Sequence, residues 1–269
     1  PHTTPDNPAR CMQYLRRTRA EVDLPALVRN LARIRAHLGD DTRLLAVVKA
    51  DAYGHGAVEM AEAAEAEGVA HLGVATLHEG IQLRQAGCRL PIVVLSPLLP
   101  SEIAEAVAHR LDPTVCDLEF ARALSRASGE SGRPLRCHVE VDTGMGRIGV
   151  SEAEAESFVA ALVALPGLRL ASVYTHFPDA DGPDLSFSRE QVRALSTLLD
   201  ALRARGIRPP RVHAANSAGT LNLPEDVPSS RATTNASRRS SLPGGMDGDD
   251  TNSASASYDG VKTATSGSR

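Results

Sequence analysis

A parallel-sheet α/β fold is what this sequence predicts, on three observations. Short apolar runs alternate with amphipathic helical stretches seven times, no G-x-G-x-x-G string follows the first run, and reactive side chains recur where the runs end. Such alternation is satisfied by an open doubly wound sheet or by a closed (β/α)8 TIM-type barrel. Without the phosphate-binding glycine fingerprint the nucleotide-binding version loses ground, and the barrel is favoured. Only seven strands are recognisable, so the barrel is expected to be incomplete. At 269 residues with 42% hydrophobic content, the chain can bury a real core.

Residues 1–19 read as a polar leader. Leu24 to Leu38 places Leu24, Leu27, Leu31, Ile34 and Leu38 on one helical stripe, with Gly39 as its stop. The expected strands are Leu44–Lys49, Leu72–Ala75, Ile92–Leu95, Pro113–Cys116, Cys137–Val141, Ala171–Thr175 and Arg211–Ala214. Between them lie expected helices over Ala57–Glu67, Leu77–Ala86, Glu102–His109, Glu119–Ser128, Glu152–Ala164 and Arg189–Arg205. Lys49, Asp142, Arg147, His176, Asn216 and Ser217 fall at or just beyond strand ends. In a barrel those ends converge on one face, where barrel active sites are built. The barrel unit is expected over 20–228. Residues 229–269 are rich in Ser, Thr, Gly, Asp and Asn, with too few apolar side chains to offset ordering entropy, so disorder is expected there.

Composition narrows the function classes. The net charge is −4 with both signs interspersed, and no basic cluster interleaves with aromatics, so nucleic acid is not an expected partner. No apolar stretch approaches the roughly 20 residues that span a bilayer, and the start has no signal-peptide core; a cytoplasmic protein without a membrane partner is expected. Cys11, Cys88, Cys116 and Cys137 form no C-x-x-C pair and the histidines show no ligand spacing, so free thiols and no metal are expected.

The most informative string is Ala46-Val47-Val48-Lys49-Ala50-Asp51-Ala52-Tyr53-Gly54-His55-Gly56. It sets a lysine at the end of a buried run, before a glycine-flanked turn. Position alone is compatible with an ordinary solvated lysine. The whole string, however, closely resembles the cofactor-lysine signature of alanine racemases, pyridoxal-phosphate enzymes of fold type III. The resemblance implies that Lys49 carries pyridoxal 5'-phosphate covalently and that Tyr53 reaches the cofactor phosphate.

Further motifs extend that resemblance from about Ala20 to Asp226. Val141-Asp142-Thr143-Gly144-Met145-Gly146-Arg147 resembles the family's D-T-G-M-G-R motif, which implies that Arg147 bonds the cofactor's phenolic oxygen. Many members place a lysine that becomes carbamylated two residues before that aspartate. Glu140 stands there in this chain, and a Glu140–Arg147 pair that fixes the guanidinium is expected. Thr175-His176-Phe177 implies that His176 lies against the pyridine ring. His213-Ala214-Ala215-Asn216-Ser217 implies cofactor contacts from Asn216 and Ser217, with Ser217 on the phosphate, although an ordinary helix cap reads the same way. Leu95 falls where the family places a leucine near the cofactor. Ala20-Glu21-Val22-Asp23-Leu24 resembles the family's first helix, and Gly73-Val74-Ala75 with Glu79, Leu83, Arg84 and Gly87 its second βα unit.

The implied reaction is proton exchange at the α-carbon of alanine, with Lys49 as the base on one face. In the family a tyrosine of a C-terminal β domain serves the other face across a homodimer. That β domain and the eighth-strand arginine segment have no counterpart in the sequence. Neither Tyr258 nor Arg231 stands in the matching context. Two other functions remain open: a non-catalytic pyridoxal-phosphate-binding or homeostasis protein, and a racemase acting on another amino acid.

Overall fold

The computed structural model describes residues 20–38, 42–223 and 261–263. Strand β1 (Ala20–Val22) pairs antiparallel with β10 (Val261–Thr263) in a separate two-stranded ribbon. The main sheet then grows from regular alternation. Its elements are α1 (Leu24–Leu38), β2 (Leu45–Val47), α2 (Ala57–Ala66), β3 (His71–Val74), α3 (Leu77–Gln85), β4 (Ile92–Pro97), α4 (Ile103–Ala108), β5 (Asp112–Thr114), α5 (Leu118–Glu130) and β6 (Leu135–Asp142). They continue through β7 (Val150–Ser151), α6 (Glu152–Val163), β8 (Leu168–Tyr174), α7 (Ser186–Ala204), β9 (Val212–His213) and α8 (Ser217–Asn222).

The seven expected strands are all present, in the order β2-β3-β4-β5-β6-β8-β9, and every neighbouring pair is parallel. Short β7, which the sequence reading missed, pairs with β6 off that path. The expected polar leader, the fourth cysteine Cys11 and nearly all of the expected disordered tail lie outside the described residues. Among the described residues no helix is long and apolar enough to cross a membrane.

The sheet is strongly curled. Arg211, just before β9, reaches across the concave side to His71 of β3, with Nη1 3.0 Å from the imidazole Nε2. Outside the sheet, His37 of α1 lies 3.2 Å from the Leu221 carbonyl of α8, so the first and last described helices of the unit meet although β2 and β9 are not paired. The result is a half-barrel.

Its two faces differ because strand side chains alternate. On the convex face, Leu72 is level with Ile92, Val74 with Val94, and Val139 with Val173. All six are essentially inaccessible and pack beneath the helices. One cluster joins Val139, Val141 and Val173 to Leu124, Val159, Leu162 and Leu195, and a second joins Leu72, Val74 and Ile92 to Leu31, Met60 and Leu83. Arg84 of α3 braces the opposite end from the strand termini, donating to the carbonyls of Cys88, Leu90, His109 and Arg110.

The concave face is apolar over β2–β4, where Leu45, Val47, Val93 and Leu95 lie around Gly73, and polar over β5, β6, β8 and β9. Its register places Asp112 and Thr114 of β5, His138 and Glu140 of β6, Ser172 and Tyr174 of β8, and His213 of β9 side by side. Buried polar groups are tolerated when they bond one another, as most of these do, although the buried His138 Nε2 has no hydrogen-bond partner among the described residues. Arg136 holds Asp112 at 2.9 Å, His138 Nδ1 lies 2.6 Å from the Ser172 hydroxyl, and that hydroxyl lies 3.1 Å from His213 Nε2. The His213 ring stacks on Tyr174 with centroids 4.4 Å apart. A polar column therefore climbs the inside of the sheet toward the C-terminal ends of its strands.

Burial, with Arg211 and His138 nearby, lowers His71 from 6.5 to about 4; burial with His138, His71 and Arg211 lowers His213 from 6.5 to about 3. Both rings are neutral in the folded protein at pH 7. Below pH 6.5 the unfolded chain binds protons that these folded-state rings refuse, so their contribution to stability is present above 6.5 and lost as pH falls toward 4. Urea unfolding midpoints are expected to drop across that window, and His213→Asn is expected to flatten the drop. An unchanged pH profile in the variant would contradict the assignment.

Candidate active site

Lys49 leaves the sheet two residues after β2 ends, rather than as its last residue. Val48, at φ −118° and ψ 23°, breaks the ladder. Ala50, Asp51, Ala52 and Tyr53 then adopt φ between 51° and 57°, a single left-handed turn of four non-glycine residues. Each such residue costs roughly 1–2 kcal/mol, so the turn persists only because its surroundings over-determine it. The Glu79 carboxylate accepts from Ala50 N at 2.8 Å through one oxygen, and from Ala75 N and Thr76 N at 2.7 and 3.1 Å through the other. Asp51 accepts from Ala57 N at 2.8 Å, tying the turn to the start of α2. Gly54 and Gly56, at φ 85° and 88°, let the chain leave the turn. Lys49 is thereby fixed, half-buried, at the C-terminal mouth of the half-barrel, and Tyr53 stands exposed beside it.

The glycine-rich segment after β6 returns on itself for a comparable reason. Asp142 Oδ1 accepts from Gly144 N and Gly146 N at 3.0 and 2.9 Å. Gly149, at φ 116°, passes so close to β6 that a Cβ would sit 2.8 Å from Asp142 N. This path carries Arg147 back over Glu140, whose carboxylate lies 3.9 Å from Nη2. The expected pair is thus formed between a half-exposed arginine and a glutamate only 3% exposed. Burial above all, with Asp142 adding repulsion, pushes Glu140 up to about 7, against the pull of a Tyr174 hydrogen bond and of Arg147.

His176 follows β8 in a loop held from behind. Gln191 of α7 donates to the His176 carbonyl at 3.0 Å and to Thr143 at 3.2 Å, while Thr143 and Thr175 share a 2.6 Å hydrogen bond. Burial, then the charges of Arg147 and Lys49, lower the proton affinity of the His176 ring. That influence ties Lys49, Arg147 and His176 into one positively biased mouth. Asn216 caps α8, accepting from Gly219 N at 2.9 Å and donating to the Phe177 carbonyl at 3.0 Å. Ser217 is the first helical residue and is exposed. Leu95 stands half-buried on β4, its methyl within 3.2 Å of where a Cβ on Gly73 would be.

Sequence reasoning missed three contributors. Glu79 entered it only as a weak match, and Thr114 and Tyr174 did not enter as site residues. Tyr174 bonds Thr114 Oγ1 at 2.9 Å and stands level with Glu140 across β6 and β8. The available signal was alternation: Thr114, Glu140 and Tyr174 are polar residues that strand period 2 puts on one face. Among the described residues no group of three or more His, Cys, Asp or Glu side chains is arranged to hold a metal ion.

The fold and this site define a parallel half-barrel that presents a lysine amine, an arginine and a histidine at the C-terminal ends of its strands. The family profile that matches is the alanine racemase N-terminal domain, over residues 22–232, and the chain belongs to that family. An alanine racemase of Synechocystis sp. is 43% identical over 203 residues, covering 75% of this chain and 55% of that protein. Among solved structures, an alanine racemase of Clostridium difficile superposes with a TM-score of 0.75 at 34% identity, covering 78% of this chain and 55% of its own. A histidine racemase of Leuconostoc mesenteroides superposes with a TM-score of 0.73 at 28% identity, covering 80% and 57%. The chain spans about half the length of the relatives it matches.

Glu79→Ala removes the acceptor of three backbone donors and the tie that holds the left-handed turn. A loss of about 1–2 kcal/mol in urea unfolding is expected, together with faster amide exchange at Ala50 than at α5. Equal exchange in variant and parent would show that the turn is held by something else.

Proposed function

We propose that this chain is the cofactor-binding half-barrel of an alanine racemase and that it binds pyridoxal 5'-phosphate through Lys49. The observation that carries the reading is the convergence of Lys49, Arg147 and His176 at one mouth, the two cations near enough to lower the proton affinity of the imidazole, beside the buried Glu140 carboxyl. A phosphorylated pyridine aldehyde matches that donor set. It brings an electrophile for the amine, anionic oxygens for the cations, and a flat ring for an uncharged imidazole.

When bound, the cofactor supplies an electron sink that acidifies the α-carbon hydrogen of an amino acid. The remaining work falls to the protein's side chains. Lys49 Nζ, positioned by the strained turn, holds the cofactor and takes or returns a proton on one face of the α-carbon. Arg147 presents a fixed cation to the phenolic oxygen, and Glu140 restrains the guanidinium. His176, kept neutral at pH 7, offers a ring face rather than a competing charge. Tyr53 and Ser217, both exposed at the mouth, are the candidates for the phosphate. Leu95 supplies an apolar wall on β4, and Asn216 keeps the His176–Phe177 loop and the start of α8 together.

Racemisation needs a base on the second face as well. No described residue is placed for it, so turnover of alanine belongs to the proposal for the whole protein, with a homodimer as its expected form. The 28% identity to a histidine racemase keeps another amino acid in view as substrate.

Mixing purified protein with pyridoxal phosphate is expected to give a visible absorbance band that sodium borohydride abolishes as it reduces the imine to a stable secondary amine, with the label recovered on the Lys49 peptide. Lys49→Ala is expected to abolish it. A band of equal strength in the variant would dismiss the site, and binding without conversion of L-alanine to D-alanine would assign this chain a binding role alone.

A further inference from the structure

The segments that carry Arg147 and His176 leave neighbouring strands. The β6–β8 ladder ends at the pair Glu140 and Tyr174, and beyond it side chains take over: Thr143 and Thr175 share a 2.6 Å hydrogen bond. From behind, α7 reaches both segments with one side chain. Gln191 is only 1% exposed, and its Nε2 lies 3.0 Å from the His176 carbonyl and 3.2 Å from Thr143 Oγ1. A carbonyl can only accept, so the amide nitrogen must face it, and the two amide protons serve one segment each.

One turn earlier on the same face of α7, Phe187 meets the glycine-rich segment again, since a Cβ on Gly144 would sit 2.6 Å from its Cζ. Ser188 adds a second hold on the segment after β8, donating from Oγ to the Asp179 carbonyl at 3.0 Å. The glycine-rich segment moves as one piece, because Asp142 accepts from Gly144 N and Gly146 N and Gly149 is pressed against β6. A hold on Thr143 and Gly144 is therefore a hold on Arg147. The glutamine does this at a cost to packing. Its Oε1 is buried with no hydrogen-bond partner among the described residues, which an apolar side chain of the same length would avoid.

We propose that Gln191 is a positioning residue that holds the Arg147 and His176 segments at one fixed spacing, so that guanidinium and imidazole meet pyridoxal phosphate as a preformed pair. The inference rests on the cofactor reading above and deepens it. Gln191 stands behind both segments and acts through them, sparing the cofactor the cost of ordering them when it binds.

Gln191→Met keeps the length of the side chain and removes the amide. Pyridoxal phosphate affinity, read from the visible absorbance band, is expected to fall about tenfold in this variant. Where Arg147→Ala and His176→Ala are both already present, the same change is expected to cost less than about twofold, because the groups it positions are gone. Thr143→Val is expected to weaken binding in the same manner, and Thr143→Ser, which keeps the hydroxyl, to restore it. The second readout needs no cofactor. Amide exchange at Gly144 and Gly146 in one segment and at Phe177 in the other is expected to quicken together in Gln191→Met, with α5 unchanged.

An unchanged affinity in Gln191→Met, a loss of equal size in both backgrounds, or exchange that quickens in α5 as well or nowhere overturns the proposal. Should Gln191→Met fail to fold, Thr143→Val and Thr143→Ser carry both readouts. Should the parent bind no cofactor, the cofactor reading falls, and the exchange arm alone decides whether Gln191 joins the two segments.

Discussion

The left-handed turn from Ala50 to Tyr53 is the constraint on which the site depends. Four consecutive non-glycine residues in that conformation oppose the ordinary handedness of L-amino acids, and the few backbone bonds of the turn, such as Ala52 N to the Val48 carbonyl, are supplemented by contacts with its surroundings. Side-chain carboxylates supply the further compensation. Glu79, one helix and one strand later in the chain, accepts from the turn and from the β3–α3 loop with the same carboxylate, and Asp51 fastens the far side to α2. A lysine on a strand end would share the strand's direction. A lysine at the root of a clamped left-handed turn is aimed independently of the sheet.

The second organising feature is the division of labour across the sheet. The convex face is aliphatic and carries the packing energy, in two clusters under α1–α3 and α5–α7. The concave face is wired with Asp112, His138, Ser172, His213, Tyr174 and Glu140. A closed barrel commonly fills its interior with layers of branched aliphatic side chains. Here the β5–β9 side of the interior is a largely hydrogen-bonded polar column facing an apolar β2–β4 side, and its upper end meets the arginine at the mouth. Stability and site chemistry are thus linked through the same strands, since a residue such as Tyr174 belongs to both.

Much of this was legible from the chain alone. The strand and helix succession follows from alternating apolar runs, and all seven expected strands are found within a few residues of where they were read. Lys49, Arg147 and His176 were identifiable from motifs of mixed chemistry, whose specificity far exceeds that of any one residue. The Glu140–Arg147 pair was legible from a single departure in such a motif. Less legible were the curl of the sheet, short β7 and the cap of α8, which belongs to Asn216, the ordinary capping role weighed beside a cofactor contact. Strand length, backbone torsion and cap identity depend on neighbours remote in sequence.

The sequence by itself determined the parallel α/β architecture, the lineage and the residue types at the mouth, because periodicity and local motifs are encoded over a few residues at a time. Only the tertiary structure decided that Lys49 springs from a left-handed turn, that Glu79 holds it, and that Thr114 bonds Tyr174 on the face that carries Glu140. Those relations join residues 29 to 60 positions apart. Register between parallel strands, which no local pattern specifies, brings them into contact.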